Sequence, residues 1–243
     1  MAAFPEAVET VFFDLDDTLV AYDAVTGSSW RQACQTLEAE LGVVGIDAAV
    51  QTIQRHSAVY WNDELRARQG RQDLIAARRT FVREAFDELG IPSATAVRIA
   101  DLFSKVRIEN MCLLPHATET LADLQSLGVA LALVTNGEST GQRGKVARFG
   151  LESFFQLILV EGDIGVGKPD PRIFRAALGR MGAIPERTLM VGDNLVWDIS
   201  GAQSVGMRGI WYDWRNEDAR PKVNIEPFAR IRDLSELQGI VRK

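Results

Sequence analysis

Apolar residues follow two rhythms along this chain, and the rhythms occupy different stretches. Val11 to Phe13 begin a short apolar, β-favouring run that ends in a cluster of acids, Asp14, Asp16 and Asp17. That is the pattern of a buried strand with polar groups at its carboxyl end. The spacing then turns helical over Ser29 to Leu41, Ala48 to Arg66, Asp73 to Leu89 and Thr95 to Ile108, with breaks at Gly42, Gly70, Gly90 and Pro92. Four helices with no strand between them predict a separate helical unit.

From Pro115 onward the two rhythms alternate. The pattern predicts helices near 117–127, 140–149, 171–181 and 196–205, and strands near 129–135, 156–160, 188–192 and 208–212. Such alternation implies an α/β fold: a parallel sheet covered on both faces, with right-handed crossovers. The first strand must join that sheet across the helical insertion. The expected division is a core of residues 1–20 and 112–243 and an insertion of 21–111. Beyond residue 213 the pattern predicts only a last helix near Leu234 to Val241.

Composition narrows the class. At 243 residues, 47% hydrophobic and 25% charged, the chain matches a soluble globular protein of one large domain or a core plus an insertion. A net charge of -6 and a pI near 5.1 argue against a nucleic-acid or anionic-membrane partner, which would need a basic patch. No run reaches the roughly 18 to 20 apolar residues of a membrane span; Val129 to Thr135 is strand-sized. Glu6 and Glu9 near the start do not fit the basic-then-apolar layout of a secretory signal. Cys34 and Cys112 lack any ligand spacing and read as reduced structural thiols, so a cytoplasmic enzyme is expected.

In an open parallel sheet the ligand crevice lies beyond the carboxyl ends of the strands. The first strand is followed by Asp14-Leu15-Asp16-Asp17-Thr18, the second by Thr135-Asn136-Gly137. Gly167-Lys168-Pro169 lies near the third, and Gly192-Asp193-Asn194, with Asp198, follows the fourth. Any one of the later clusters could be a helix cap or turn. The first is harder to dismiss, because two like charges about 4 Å apart repel by roughly 4 kcal/mol at an effective dielectric of 20. A cation or a proton must relieve that.

Taken together, these motifs resemble the haloacid dehalogenase superfamily of phosphohydrolases, over residues 11–20 and about 112–212. Asp14, Asp16 and Thr18 match its DxDxT motif, Thr135 its second, Lys168 its third, and Asp193 with Asp198 its acidic GDxxxxD-type fourth. The resemblance implies a Rossmann-like, doubly wound core, and makes residues 21–111 similar to the family's mobile helical cap.

It also implies a chemistry: Mg²⁺-dependent hydrolysis of the phosphate monoester of a small metabolite, with Asp14 as covalent nucleophile. The implied Mg²⁺ ligands are the side chains of Asp14 and Asp193 and the backbone carbonyl of Asp16, with Thr18, Asn194 and Asp198 standing behind them. Lys168 would hold Asp14 and a phosphate oxygen, and Thr135 with the amides of Asn136 and Gly137 the other oxygens. Lysine is scarce, five against twenty-two arginines, which makes one in a Gly-Lys-Pro turn more telling. Asp16 would protonate the leaving alcohol and then deprotonate water, its protonated form favoured by negative neighbours. An acid at this position argues for phosphate chemistry over dehalogenation. Asp17 reads as a solvated turn residue.

The core motifs do not separate a hydrolase from a phosphomutase, and the intact Asp14, Asp16, Lys168 and Asp193 set disfavours the further alternative of a silent protein that binds a phosphate ligand. A receiver domain is disfavoured, because its acceptor Asp does not follow the first strand and it lacks an insertion of this size. Substrate choice is expected from the insertion. There Trp30, His56, Tyr60, Trp61, Asn62 and the arginines from Arg66 to Arg83 read mainly as packing and solvated faces, and His56 and His116 as structure or surface.

Overall fold

The computed structural model describes residues 7–215 and 224–242; Glu6, used in the N-terminal reading, lies outside them. The chain divides into two compact units, Met1–Ala21 with Cys112–Lys243, and Tyr22–Met111.

Strand β1 (Thr10–Phe13) leads into the second unit, which is helical: α1 (Thr26–Thr36), α2 (Glu38–Leu41), α3 (Gly45–Asn62), α4 (Glu64–Gln72), α5 (Leu74–Leu89) and α6 (Ser93–Asn110). Its core is aromatic. Trp30 stacks on Phe103 at 3.6 Å between ring centroids, and Phe81 meets Trp30 edge-on. The expected break at Gly70 is wrong. The helices begin instead where Asp63 and Asp73 cap them, Asp63 accepting from the Arg66 amide and Asp73 from those of Ile75 and Ala76. Gly70 sits inside α4, where an added Cβ would come within 2.9 Å of the Tyr60 ring. Close approach, not chain reversal, explains that glycine. Arg66 and Arg79 pair with Glu84 and Asp101 on the surface, and His56 bonds Glu88. Arg78 departs from the solvated-face reading: it is buried over the Phe103 ring and donates to Ser104.

The first unit contains α7 (Ala117–Ser126), β2 (Ala130–Thr135), α8 (Ser139–Arg148), β3 (Leu157–Val160), α9 (Glu161–Ile164), α10 (Pro171–Met181), β4 (Thr188–Gly192), α11 (Gly201–Gln203), β5 (Arg208–Tyr212), β6 (Ala229–Ile231) and α12 (Leu237–Val241). The strands form one parallel sheet in the order β3-β2-β1-β4-β5-β6. Strands buried on both faces read as continuous apolar runs, as Val11 to Phe13 and Leu189 to Val191 do. Helix α10 shows how a face is covered. Asp170 caps it, Pro171 occupies its first turn, and Ile173, Phe174, Ala177 and Leu178 pack with Phe12, Ala132, Val134 and Met190. The helix expected over 196–205 begins as a π-helical turn, Leu195–Ser200, and continues as α11.

Winding reverses at β1, with β2 and β3 laid on one side and β4 to β6 on the other. In a doubly wound sheet the reversal point opens a crevice beyond the strand ends. Asp14 stands there. Among the described residues no helix is long and apolar enough to cross a membrane.

Candidate active site

The Asp14 amide continues the ladder by donating to Val191 at 2.9 Å. The chain then doubles back: the Leu15 carbonyl accepts from both Leu19 and Val20, and the Asp17 amide donates to Val20 at 2.7 Å. Asp17 takes the left-handed conformation, φ 58, that aspartate tolerates better than most residues. The expectation of a solvated Asp17 is wrong, because this fold-back leaves it only 4% exposed. Among the described residues no backbone hydrogen bond ends on the Asp16 carbonyl.

Lys168 is the hub of the buried charges. Its Nζ lies 2.6 Å from Asp14 Oδ1 and 2.6 Å from Asp198 Oδ1, with the ammonium almost fully buried. The second Asp198 oxygen accepts from the Asn194 amide at 3.0 Å, so Asp198 ties Lys168 to the loop after β4. An added Cβ at Gly192 would lie 2.2 Å from that oxygen, so only glycine fits there. Carboxylate oxygens of Asp14, Asp193 and Asp198 lie within 4.8 Å of one another. Asp193 receives no hydrogen bond on its carboxylate among the described residues. A shallow cleft lined by Asp193, Trp211, Asp213 and Arg215 among others opens beside it.

Burial dominates the electrostatics. It pushes the Asp14 carboxyl up to about 7, with Lys168 opposing and Asp198 and Asp16 adding to the rise. Asp193 is pushed up to about 9, by burial first and then by Asp14, Asp198 and Asp17. For Lys168 burial acts downward, but the two carboxylates outweigh it and hold the ammonium above its ordinary range. Lys168 pairs with Asp14 and Asp198 only, and Asp193 beside them adds a third acid, so acids outnumber bases in the cluster. A divalent cation would balance the excess.

Loop Thr135–Gly137 is tied down on every side. The Asn136 side chain bonds both ways with the Lys168 backbone, Nδ2 donating to its carbonyl at 2.8 Å and Oδ1 accepting from its amide at 2.7 Å. That pair of hydrogen bonds joins the second and third motifs, a role for Asn136 that its position after a strand did not reveal. The Gly137 amide, expected to face phosphate, donates instead to Glu161 Oε2 at 2.9 Å. Gly137 thus needs that carboxylate displaced before it could hold a phosphate oxygen. Asn194 is a helix cap, its side chain accepting from Val196 and Trp197. The Thr18 hydroxyl is buried without a hydrogen-bond partner among the described residues.

Two residues of this neighbourhood escape sequence reasoning. Lys145 Nζ stands 2.7 Å from both oxygens of Asp16, and Gln142 Nε2 donates to Asp16 Oδ2 at 3.0 Å and to Thr135 Oγ1 at 2.7 Å. Lysine scarcity singled out Lys168 and applied equally to Lys145, but only the fold shows what Lys145 faces.

A strand-end acid beside a buried lysine, on a doubly wound sheet, defines a class of hydrolase. Residues 8–206 match the family model for haloacid dehalogenase-like hydrolases. The chain is 34% identical to phosphoserine phosphatase of Thermus thermophilus over 95% of this chain and 98% of that protein. It is 32% identical to glyceraldehyde 3-phosphate phosphatase of Methanothermobacter thermautotrophicus, over 96% of this chain and all of that protein. The crystal structure of the HAD-hydrolase YfnB from Bacillus subtilis, bound to magnesium, superimposes with a TM-score of 0.76 at 26% identity, covering 98% of this chain and 100% of the other. The chain belongs to the haloacid dehalogenase-like hydrolase family, and within it to the phosphoric monoester hydrolases.

Proposed function

We propose that this enzyme removes phosphate from a small phosphorylated metabolite with Mg²⁺ bound, through a phosphoaspartate on Asp14. The observation that carries the reading is the excess of acids beyond β1 and β4: Asp14 and Asp198 buried on Lys168, with the half-buried Asp193 beside them. Magnesium favours a few carboxylate and carbonyl oxygens together with water and a substrate phosphate. Asp14, Asp193 and the unengaged Asp16 carbonyl fit that preference, and both Asp198 oxygens already have partners. When bound, the ion supplies positive charge between a carboxylate nucleophile and a phosphate dianion.

The chain's own residues do the rest. Lys168 takes Asp14 Oδ1, leaving Oδ2 without a hydrogen bond among the described residues. In the first step an Asp14 oxygen bonds to phosphorus, the bond from phosphorus to the ester oxygen breaks, and the departing alcohol takes a proton from Asp16. In the second a water oxygen bonds to phosphorus, the bond to Asp14 breaks, and Asp16 recovers a proton from the water. Thr135 offers a neutral donor to the transferring group.

The ester class follows from the relatives, which are named for phosphoserine and for glyceraldehyde 3-phosphate. Two free cysteines, one of them exposed, suit a reducing cytoplasm. The test is a rapid-quench experiment with nitrophenyl phosphate. Asp16→Ala keeps the backbone carbonyl and should release about one equivalent of nitrophenol, then stall with phosphate on Asp14, because a good leaving group needs little proton donation. Activity of the parent enzyme should vanish in chelator and return with Mg²⁺. A burst from Asp14→Ala, or full activity in chelator, would remove the assignment.

A further inference from the structure

Helix α8 buries the wrong kind of face for a helix held by packing. Such helices turn an apolar stripe inward, yet the buried residues of α8 are Gln142 and Val146, and the Lys145 side chain is only 14% exposed. Burying an amide and an ammonium costs free energy unless each is partnered. Both find the same partner in Asp16: Lys145 Nζ at 2.7 Å from each oxygen, Gln142 Nε2 at 3.0 Å from Oδ2.

The second hydrogen of the Gln142 amide goes to Thr135 Oγ1 at 2.7 Å. In the carboxylate form that takes a proton from water in the second step, Asp16 only accepts, so the NH₂ end of the amide must face it. Thr135 Oγ1 therefore accepts from Gln142 and keeps its own hydrogen to donate. Among the described residues that hydrogen has only the Asn136 carbonyl, 3.3 Å away, a long contact that an anionic phosphate oxygen would outcompete.

We propose that Gln142 and Lys145 are positioning residues for phosphoryl transfer, fixing the Asp16 carboxylate and, through one shared amide, the donor direction of Thr135. The two stand three residues apart on α8, and so on one face of it. The inference rests on the reading of Asp16 as the acid–base group. Without the clamp the Asp16 side chain would sample several rotamers, and only some would reach the leaving group or the water.

The test combines Lys145→Met, Gln142→Leu and Lys145→Arg with Asp16 intact, and Lys145→Met also in an Asp16→Asn background, each variant checked for an unchanged thermal melt. With Asp16 present, Lys145→Met and Gln142→Leu should keep the nitrophenol burst but slow phosphoenzyme breakdown by about 10- to 100-fold. Lys145→Arg should restore most of the rate. KM for nitrophenyl phosphate should rise in Gln142→Leu and hold steady in Lys145→Met, because only Gln142 touches Thr135. In Asp16→Asn, Lys145→Met should add nothing. Equal slowing in both backgrounds, or no slowing in either, overturns the clamp. Absence of any phosphate on Asp14 in Asp16→Asn would instead sink the phosphoaspartate reading and the clamp with it.

Discussion

The two units treat charge in opposite ways. In the helical unit acids and bases pair at the surface: Arg31 with Asp47, Arg55 and His56 with Glu88, Arg66 with Glu84, Arg79 with Asp101. Such pairs contribute little to stability, because both ions keep most of their water. Beyond β1 and β4 the acids are buried or half-buried and outnumber their lysine. A fold selected for stability alone would not gather them. The contrast supports the proposed site without reference to any relative: paired charges mark a surface, and a cluster where acids outnumber bases marks a candidate for a counter-charge.

The sharpest way to break this contrast is at its centre. Asp14→Asn should lower kcat on the order of 10⁴-fold or more, as removal of a covalent nucleophile does, while leaving the melt in Mg²⁺ close to wild type. Retained turnover would move the chemistry elsewhere. Lys168→Met should cost less, about 10²- to 10³-fold, as loss of one charged donor to a transition state does. Steady-state kinetics in saturating Mg²⁺ measure it, and a change in KM alone would reduce Lys168 to a binding residue.

A third outcome concerns pH. Asp14 and Asp193 are raised in the fold, to about 7 and about 9, above their unfolded value of 3.8. Between these values the folded chain holds more protons than the unfolded one, so stability should fall as pH rises from about 4 through 9 in chelator. Mg²⁺ should flatten that decline, and Asp193→Asn should remove part of it. Melting curves across pH, with and without the metal, read the slope; one that rises over this window would contradict the charge excess. The smallest effect belongs to the surface. Arg79→Gln should shift the melt barely beyond its error and leave kinetics unchanged, and a large loss would mean that the helical pairs are not the passive surface described above.

Much of the framework was legible from residue pattern. Strands 188–192 and 208–212 and helix 171–181 emerge at their expected bounds, because apolar runs and an Asp-Pro start are strong local signals. Strand β6, three residues of Ala, Arg and Ile, carries no pattern of its own and exists only because β5 offers an edge. The misreading of Gly70 has the same origin: glycine punctuates locally, but the contact with Tyr60 that requires it is tertiary. Near the site, strand-end acids were visible because position after a strand is itself the signal. Gln142 and Lys145 lie inside a mostly polar helix, where spacing cannot say which face turns toward Asp16. Asp17 was misjudged for a related reason, since an acid in a turn is usually hydrated until the turn folds back on itself.

One feature of the sheet also bears on how the chain is made. The central strand is the first to leave the ribosome, yet its neighbours β2 and β4 begin only at residues 130 and 188. At about 5 to 20 residues per second, β1 waits roughly 10 to 35 s for β4. Meanwhile the helical unit, continuous from residue 22 to 111, is complete and can fold by local contacts. Nascent Asp14 therefore stays in water until β4 and the Asp193 that follows it arrive, and the acidic cluster is assembled only after residue 198 has been made.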